Sequence, residues 1–253
     1  MLPASTVFLL SLITGMLVTR FVVVLPVAAA VGVVIQNDSM WIDSLGDLHI
    51  VGEVKNTGDV WVHFVKVTGT LRDVSSGVVD VTWTYTQLQH VPSGGMAPFD
   101  MIETDTEKSA RVQSYSLAVE SQEIAALSQK LVVLSISDSK NALGWLEVVG
   151  EVQNQGDIPS TYTQVIGTFY DTAGKVVYVA FTFTSPDEIP AGGKCGFKLD
   201  VIGTERTYRV AHYTVTAESE NSRFTSVPET TSPEILMIAA LIVGVATLRR
   251  KRA

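Results

Sequence analysis

The sequence predicts an all-β protein: two tandem antiparallel β-sandwiches, with an apolar segment at each end of the chain. Three observations carry this. A module of about ninety residues is written twice at a constant offset, apolar side chains within each copy recur with period two, and Gly, Pro, Asn and Asp cluster between the alternating runs. The repeat is in register: Val51-Gly52-Glu53-Val54-Lys55-Asn56-Thr57-Gly58-Asp59 returns as Val149-Gly150-Glu151-Val152-Gln153-Asn154-Gln155-Gly156-Asp157. The same offset carries Asp73 onto Asp171, Pro92 onto Pro190, Gly94-Gly95 onto Gly192-Gly193, Phe99 onto Phe197 and Tyr115 onto Tyr213.

Residues 1–30 hold two apolar runs, Val7 to Val18 and Phe21 to Val31, split by Arg20 and followed by Ala28-Ala29-Ala30. A positive residue, an apolar core and a small-residue exit make a secretory signal or a retained anchor helix, and a start at Met16 gives the tighter layout. Residues 31–121 form the first sandwich and 131–221 the second, each with six or seven strands. Strands are expected near 31–36 and 131–137, at the Val-Gly-Glu-Val runs, and where Val67, Gly69 and Leu71 match Val165, Gly167 and Phe169 on one face. In the next strand Val79, Val81, Trp83 and Tyr85 share a face, matched by Val177, Val179, Phe181 and Phe183. Large replaces large at each place, so that face is assigned to the core. Later strands open at Phe197 and close each copy at Tyr115 to Val119 and Tyr213 to Ala217. Turns fall at Asn56 to Asp59 and Asn154 to Asp157, where Gly58 and Gly156 can take a positive φ, at Asp171 to Lys175, and at Pro190 to Gly193.

Residues 122–130 show the one interior helical period and join the two sandwiches. Residues 222–234, rich in Ser, Thr and Pro, read as an extended stalk. Residues 235–253 begin after Pro233-Glu234 with the apolar run Ile235 to Leu248 and end on Arg249, Arg250, Lys251 and Arg252. As a helix that run rises about 21 Å, short of a hydrocarbon core about 30 Å thick, so a C-terminal transmembrane helix here has to thin the bilayer or let its arginines snorkel. The basic cluster faces the cytoplasm and places both sandwiches outside.

Five of the 18 basic residues (Arg20 and the terminal four) lie outside residues 31–233, as does Glu234 alone of the 26 acids, leaving 13 basic against 25 acidic residues between them. That body repels nucleic acid. Cys195 is the one cysteine, so no intramolecular disulfide forms, and the surrounding glycines and Phe197 give it a structural reading. The histidines His49, His63, His90 and His212 are scattered and none recurs in the other copy, which has Glu147, Thr161, Glu188 and Ser114 at the matching places. Neither zinc-ligand spacing nor a nucleophile motif accompanies them, so catalytic and cofactor-binding residues are expected to be none. Asn56, Asp59, Asp73, Asn154, Asp157 and Asp171 offer hard oxygen atoms for calcium, and turn-forming Asx residues explain the same letters. Asn37-Asp38-Ser39 is the one glycosylation sequon. Trp41, Trp61 and Trp145 fall in expected loops and are the first surface candidates.

Copy two, from Val148-Val149-Gly150-Glu151-Val152 through Gly167-Thr168-Phe169-Tyr170-Asp171 to Ile189-Pro190-Ala191-Gly192-Gly193, resembles the FxLYD family of immunoglobulin-like modules. Copy one is looser, with Leu71-Arg72-Asp73 in place of Phe169-Tyr170-Asp171. The resemblance implies secreted or surface-attached immunoglobulin-like sandwiches without assigned catalytic residues. The carboxy-terminal layout resembles the PEF-type sorting tails of archaeal surface proteins, with Ile235 where those have Phe, and implies cutting near Pro233-Glu234 and exchange for a lipid; a plain tail anchor fits as well.

The expected function is that of a non-enzymatic cell-surface protein whose two modules act as interaction, adhesion or spacer units toward an extracellular protein or glycan. The alternative is a substrate-capturing or accessory subunit of a membrane transporter or surface enzyme complex. A calcium-stiffened stalk is the third reading.

Overall fold

The structure, a computed structural model, describes residues 32–127, 130–219 and 225–226. It is all-β, with every strand pairing antiparallel. In chain order the first copy forms β1 (Val33–Ile42), β2 (Leu48–Asn56), β3 (Trp61–Arg72), β4 (Val78–Tyr85), β5 (His90–Val91), β6 (Met96–Glu103), α1 (Thr106–Arg111) and β7 (Ser114–Ile124). The second forms β8 (Leu131–Lys140), β9 (Leu146–Asn154), β10 (Ser160–Thr161), β11 (Gln164–Tyr170), β12 (Val176–Phe183), β13 (Glu188–Ile189), β14 (Lys194–Val201), α2 (Thr204–Arg209), β15 (His212–Glu218) and β16 (Thr225–Ser226).

Each copy pairs two sheets. In the first, β1-β2-β6 faces a sheet in which β3 holds β4, β5 and β7; in the second, β14-β9-β8 faces β12-β11-β15-β16. Two buried clusters result. Leu48, Ile50, Val54, Phe99 and Met101 meet Val65, Val67 and Leu71 in one, and Leu131, Val148, Val152 and Leu199 meet Val165, Phe169 and Val215 in the other. The repeated Val-Gly-Glu-Val strand owes its glycine to the neighbouring strand. Gly52 pairs with Phe99 and Gly150 with Phe197, and a Cβ at either glycine would come within 2.7 Å or 2.6 Å of that ring. The aromatic side chain thus lies over the bare backbone, and only glycine leaves it room.

The repeated Asn-x-Gly turn works through its side chain. Asn56 is fully buried; its Nδ2 donates to the Val60 and Val91 carbonyls at 2.8 and 3.0 Å, and its Oδ1 accepts from Gly58 N–H at 3.0 Å. Asn154 repeats all three bonds with Ile158, Ile189 and Gly156. Gly58 and Gly156 do not have the positive φ expected of them; Gly94, Gly174 and Gly192 do. What fixes glycine at 156 is proximity, since a Cβ there would meet the Asn154 Oδ1 at 2.8 Å.

Four expectations are corrected. The sheet face Val79, Val81, Trp83, Tyr85 is core only at its first position, where Val79 packs against the first cluster and its counterpart Val177 is fully buried in the second. Leu71 pairs with Asp80 while Arg72 pairs with Val78, and Phe169 with Tyr178 while Tyr170 pairs with Val176, so Val79 and Val177 are bulge residues. One extra residue reverses the alternation beyond it, leaving Val81, Trp83 and Tyr85 at 55%, 56% and 47% exposure and Phe181 and Phe183 at 54% and 52%. Residues 122–124 continue β7 rather than starting a helix. Two unexpected single-turn helices, α1 and α2, stand at equivalent places; Asp105 caps α1 by accepting from the Glu107 and Lys108 N–H groups. Thr225 and Ser226, expected in the stalk, instead pair with Ala217 and Thr216 at the edge of a sheet. Among the described residues no helix is long and apolar enough to cross a membrane. The expectations for residues 1–30 and for 235–253, with Pro233, Glu234, Arg249, Arg250, Lys251 and Arg252, lie outside the described residues.

Candidate functional site

The two copies meet face to face. Ile166, Tyr170, Val176 and Val179, on the outer side of β11 and β12, join the buried cluster of the first copy, against the outer side of β1-β2-β6. The order of layers is therefore β4-β3-β7, β1-β2-β6, β12-β11-β15, β14-β9-β8. At the centre of the joint the Tyr170 hydroxyl donates to Glu53 Oε1 at 2.5 Å, and Glu53 also accepts from Asn37 Nδ2 at 3.3 Å. The sequon asparagine is thus committed to the joint, and Ser39 of the same sequon donates to the Val176 carbonyl.

The histidines line separate parts of the joint and its edge rather than one cluster: His90 meets Glu218 at one end of β15 and His212 opens the other. His49 stacks on Trp41 at 4.2 Å, and the Arg206 guanidinium lies over the Trp41 ring at 4.1 Å from the other copy. His212 stacks on Tyr170 at 4.7 Å. His90 Nδ1 is 2.6 Å from Glu218 Oε1, and the Glu218 carboxylate also accepts from the Gln89 and His90 N–H groups at 2.7 and 3.0 Å. His63 stacks 6.3 Å from His90. Burial opposes the charge on His49, but the hydrogen bond and charge of Asp100, with Asp43 and Asp47, outweigh it and raise its pKa. These residues fail to repeat because the two copies contribute opposite sides to the joint. That was the available signal: Thr68 against Ile166, Arg72 against Tyr170 and Ser139 against Trp41 are the differences that make one face solvent-facing and the other a contact.

Of the three tryptophans expected in loops, Trp145 lies in one, and Trp41 and Trp61 lie in strands. Trp41 sits in β1 within the joint, Trp61 opens β3 and Trp145 precedes β9, all partly buried, while Trp83 is the exposed one. It belongs to an aromatic group that recurs in both copies. Phe64, Trp83 and Tyr85 correspond to Tyr162, Phe181 and Phe183, with Phe64 56% and Tyr162 69% exposed. Phe64 and Tyr162 adopt φ of 46° and 49° at matching breaks, inside β3 and between β10 and β11. A left-handed backbone at a bulky residue costs on the order of 1–3 kcal/mol and is held only by its surroundings. Trp83 and Tyr85 pack edge to face at 5.5 Å, as Phe181 and Phe183 do at 6.3 Å.

A hollow of about 380 Å³ lies between Phe64 and Tyr85 on one side and the β4–β5 loop on the other, with Gln87, Gln89, His63 and Gln164 on its walls. Gln164 Nε2 donates to Gln87 Oε1 at 3.4 Å. A second hollow of about 330 Å³ adjoins it across Phe64 and Tyr85, edged by Glu120, Ser121 and Gln122.

The calcium candidates are held by turns. Asn56 and Asn154 spend their amides on the bonds given above. Asp73 Oδ1 accepts from the Ser75 and Gly77 N–H groups, and Asp171 Oδ1 from Ala173 and Lys175. Arg111 lies 4.0 Å from Asp73 and Arg209 3.4 Å from Asp171, while Asp59 and Asp157 are exposed. Cys195 is buried in the second core, paired across the sheet with Val152.

No family model matches the chain, and no curated protein does. Solved structures with some likeness include a transglutaminase of red sea bream, at 13% identity and TM-score 0.26 over 76% of this chain and 31% of that one. An exo-chitosanase of Amycolatopsis orientalis gives 14% and 0.29 over 76% of this chain and 26% of its own. A Bacteroides uniformis β-glucuronidase gives 11% and 0.27 over 74% and 26%. This chain spans less than a third of the length of each.

Proposed function

We propose that this is a non-enzymatic surface protein whose two immunoglobulin-like, FxLYD-type sandwiches, locked into one rigid body, present an interaction face outside the cell. The apolar segments at residues 1–30 and 235–253 direct and hold it at the membrane, the second by a tail anchor or a PEF-type sorting event at Pro233-Glu234. The observation that carries the reading is the duplicated aromatic group. Leaving a large apolar side chain in water forgoes roughly 1.5–3 kcal/mol of burial, and both copies forgo it at the same three positions. Exposed apolar patches of this kind mark contact surfaces. The joint supports a single rigid module, because buried Tyr170, Ile166 and Glu53 leave the two sandwiches little freedom to hinge. Protease shaving of intact cells, followed by peptide mass spectrometry, tests this: peptides from 32–219 are expected in the released fraction. Their complete retention until the cells are lysed rejects the surface assignment.

A further inference from the structure

The outer face of β4 and β3 in the first copy has the same position as the face that the second copy buries in the joint, so the second copy shows what a protein contact demands there. It demands Ile166 and Tyr170 on the middle strand beside Val176 and Val179 on the edge strand. The first copy keeps the apolar edge, with Val78, Val81, Trp83 and Tyr85, but has Thr68 and Arg72 at the middle positions. A row of aromatic rings on an apolar edge strand, beside a polar middle strand, suits a ligand that is apolar on one face and polar around its rim.

The hollows beside that row supply the polar half. Gln87, Gln89 and Gln164 offer planar amides, each both donor and acceptor, on one side of Phe64 and Tyr85; on the other, Gln122 offers a further amide, Ser121 a hydroxyl and Glu120 an accepting carboxylate. The charged groups in reach are already partnered, Lys66 with Glu120 at 3.1 Å and the Glu218 carboxylate with the Gln89 and His90 N–H groups at 2.7 and 3.0 Å, so neither calls for an ionic ligand. A pyranose ring has this composition: a face of C–H groups that lies on an aromatic ring, and an equatorial rim of hydroxyls that pairs with amides and carboxylates.

We propose that the two hollows flanking Phe64 and Tyr85 form a binding cleft for a neutral oligosaccharide, with the rings as stacking platforms and Gln87, Gln89 and Gln122 as hydroxyl partners. This deepens the interaction-module reading and rests on it. The second copy is the internal control. Its rings are retained as Tyr162, Phe181 and Phe183, but Thr161, Ser185 and Asp187 replace His63, Gln87 and Gln89.

The test uses the full chain in a sugar-free detergent, titrated calorimetrically with the hexaoses of glucose, mannose and N-acetylglucosamine and applied to an array of neutral glycans. Binding by at least one is expected. Tyr85→Ala should weaken it about tenfold or more, the loss of one aromatic contact with its buried area. Gln89→Ala, at an exposed loop position that leaves folding intact, should weaken it severalfold, while Phe183→Ala should change it less than about twofold. Circular dichroism of each variant guards against unfolding. Absence of binding at millimolar concentrations across hexaoses and array overturns the proposal. So does binding indifferent to Tyr85→Ala and Gln89→Ala, or concentration-dependent self-association abolished by Trp83→Arg, which gives the face to a second copy. Cell shaving decides the surface reading separately, since glycan binding by a protein that resists shaving leaves the cleft standing and removes only the location.

Discussion

One sheet face occurs twice in this chain and meets two fates. On β11 and β12 it is covered by the other copy, and Ile166, Tyr170, Val176 and Val179 are buried; on β3 and β4 it faces water, and Thr68, Arg72, Val78 and Val81 stand in their places. The middle strand has followed its environment, apolar where covered and polar where wet. The edge strand has not, because Trp83 and Tyr85 stay aromatic in water just as Phe181 and Phe183 do beyond the margin of the joint. The comparison separates two kinds of apolar side chain on an outer face: contact between the copies explains the first set, and the second set is the one the proposed external contact would cover.

The largest effect expected from breaking this symmetry comes from a charge in the covered face. Ile166→Asp places an unpaired carboxylate in the joint and should cost about 3–5 kcal/mol in denaturant unfolding, whereas Thr68→Asp at the matching half-buried, solvent-facing place should cost about 1 kcal/mol or less. Equal losses would mean that the two faces do not differ in burial. Next in size is the carboxylate that closes one end of the joint. Glu218→Ala removes the acceptor for two backbone N–H groups and His90 and should cost about 2 kcal/mol. Its counterpart Glu120, paired with Lys66 near solvent, should cost about 0.5 kcal/mol or less on the same change. Smallest is a pH effect. Because the pKa of His49 is raised in the folded protein, its contribution is complete below about 6.5, the ordinary imidazole value, and is lost as pH rises through the folded value. Thermal melts from pH 5 to 9 should show that loss on the alkaline side, and His49→Gln should flatten it.

Much of the fold was legible because the repeat supplies its own control. Both Val-Gly-Glu-Val strands, the Asn56 and Asn154 turns and the closing tyrosines stand where expected; Tyr115 and Tyr213 each reach an aspartate of the copy's first strand, Asp38 at 2.6 Å and Asp138 at 2.9 Å. The Tyr115 hydroxyl is pushed upward in pKa by burial, with Asp38 adding to it. The exposed aromatic row reads as core in the sequence because a single bulge residue, Val79 or Val177, reverses a period-two pattern without altering the letters around it. The joint leaves no trace in what the two copies share. A contact between unlike faces is written in what they do not share, and His49, His63, His90, His212 and Trp41 all lie at positions where the other copy has something else. The capped helix α1 had its signal in Asp105-Thr106-Glu107, an acidic cap ahead of a first-turn carboxylate, but six residues carry too little period to stand out.

Hydroxyl-radical footprinting of the full chain tests the central contrast most directly, since it reads the accessibility of aromatic side chains one by one. Rapid oxidation of Phe64, Trp83 and Tyr85 together with protection of Tyr170 and Trp41 is the predicted result. Oxidation of Tyr170 at a rate matching that of Tyr85 would contradict it, because the two copies would then be separate units with no covered face between them.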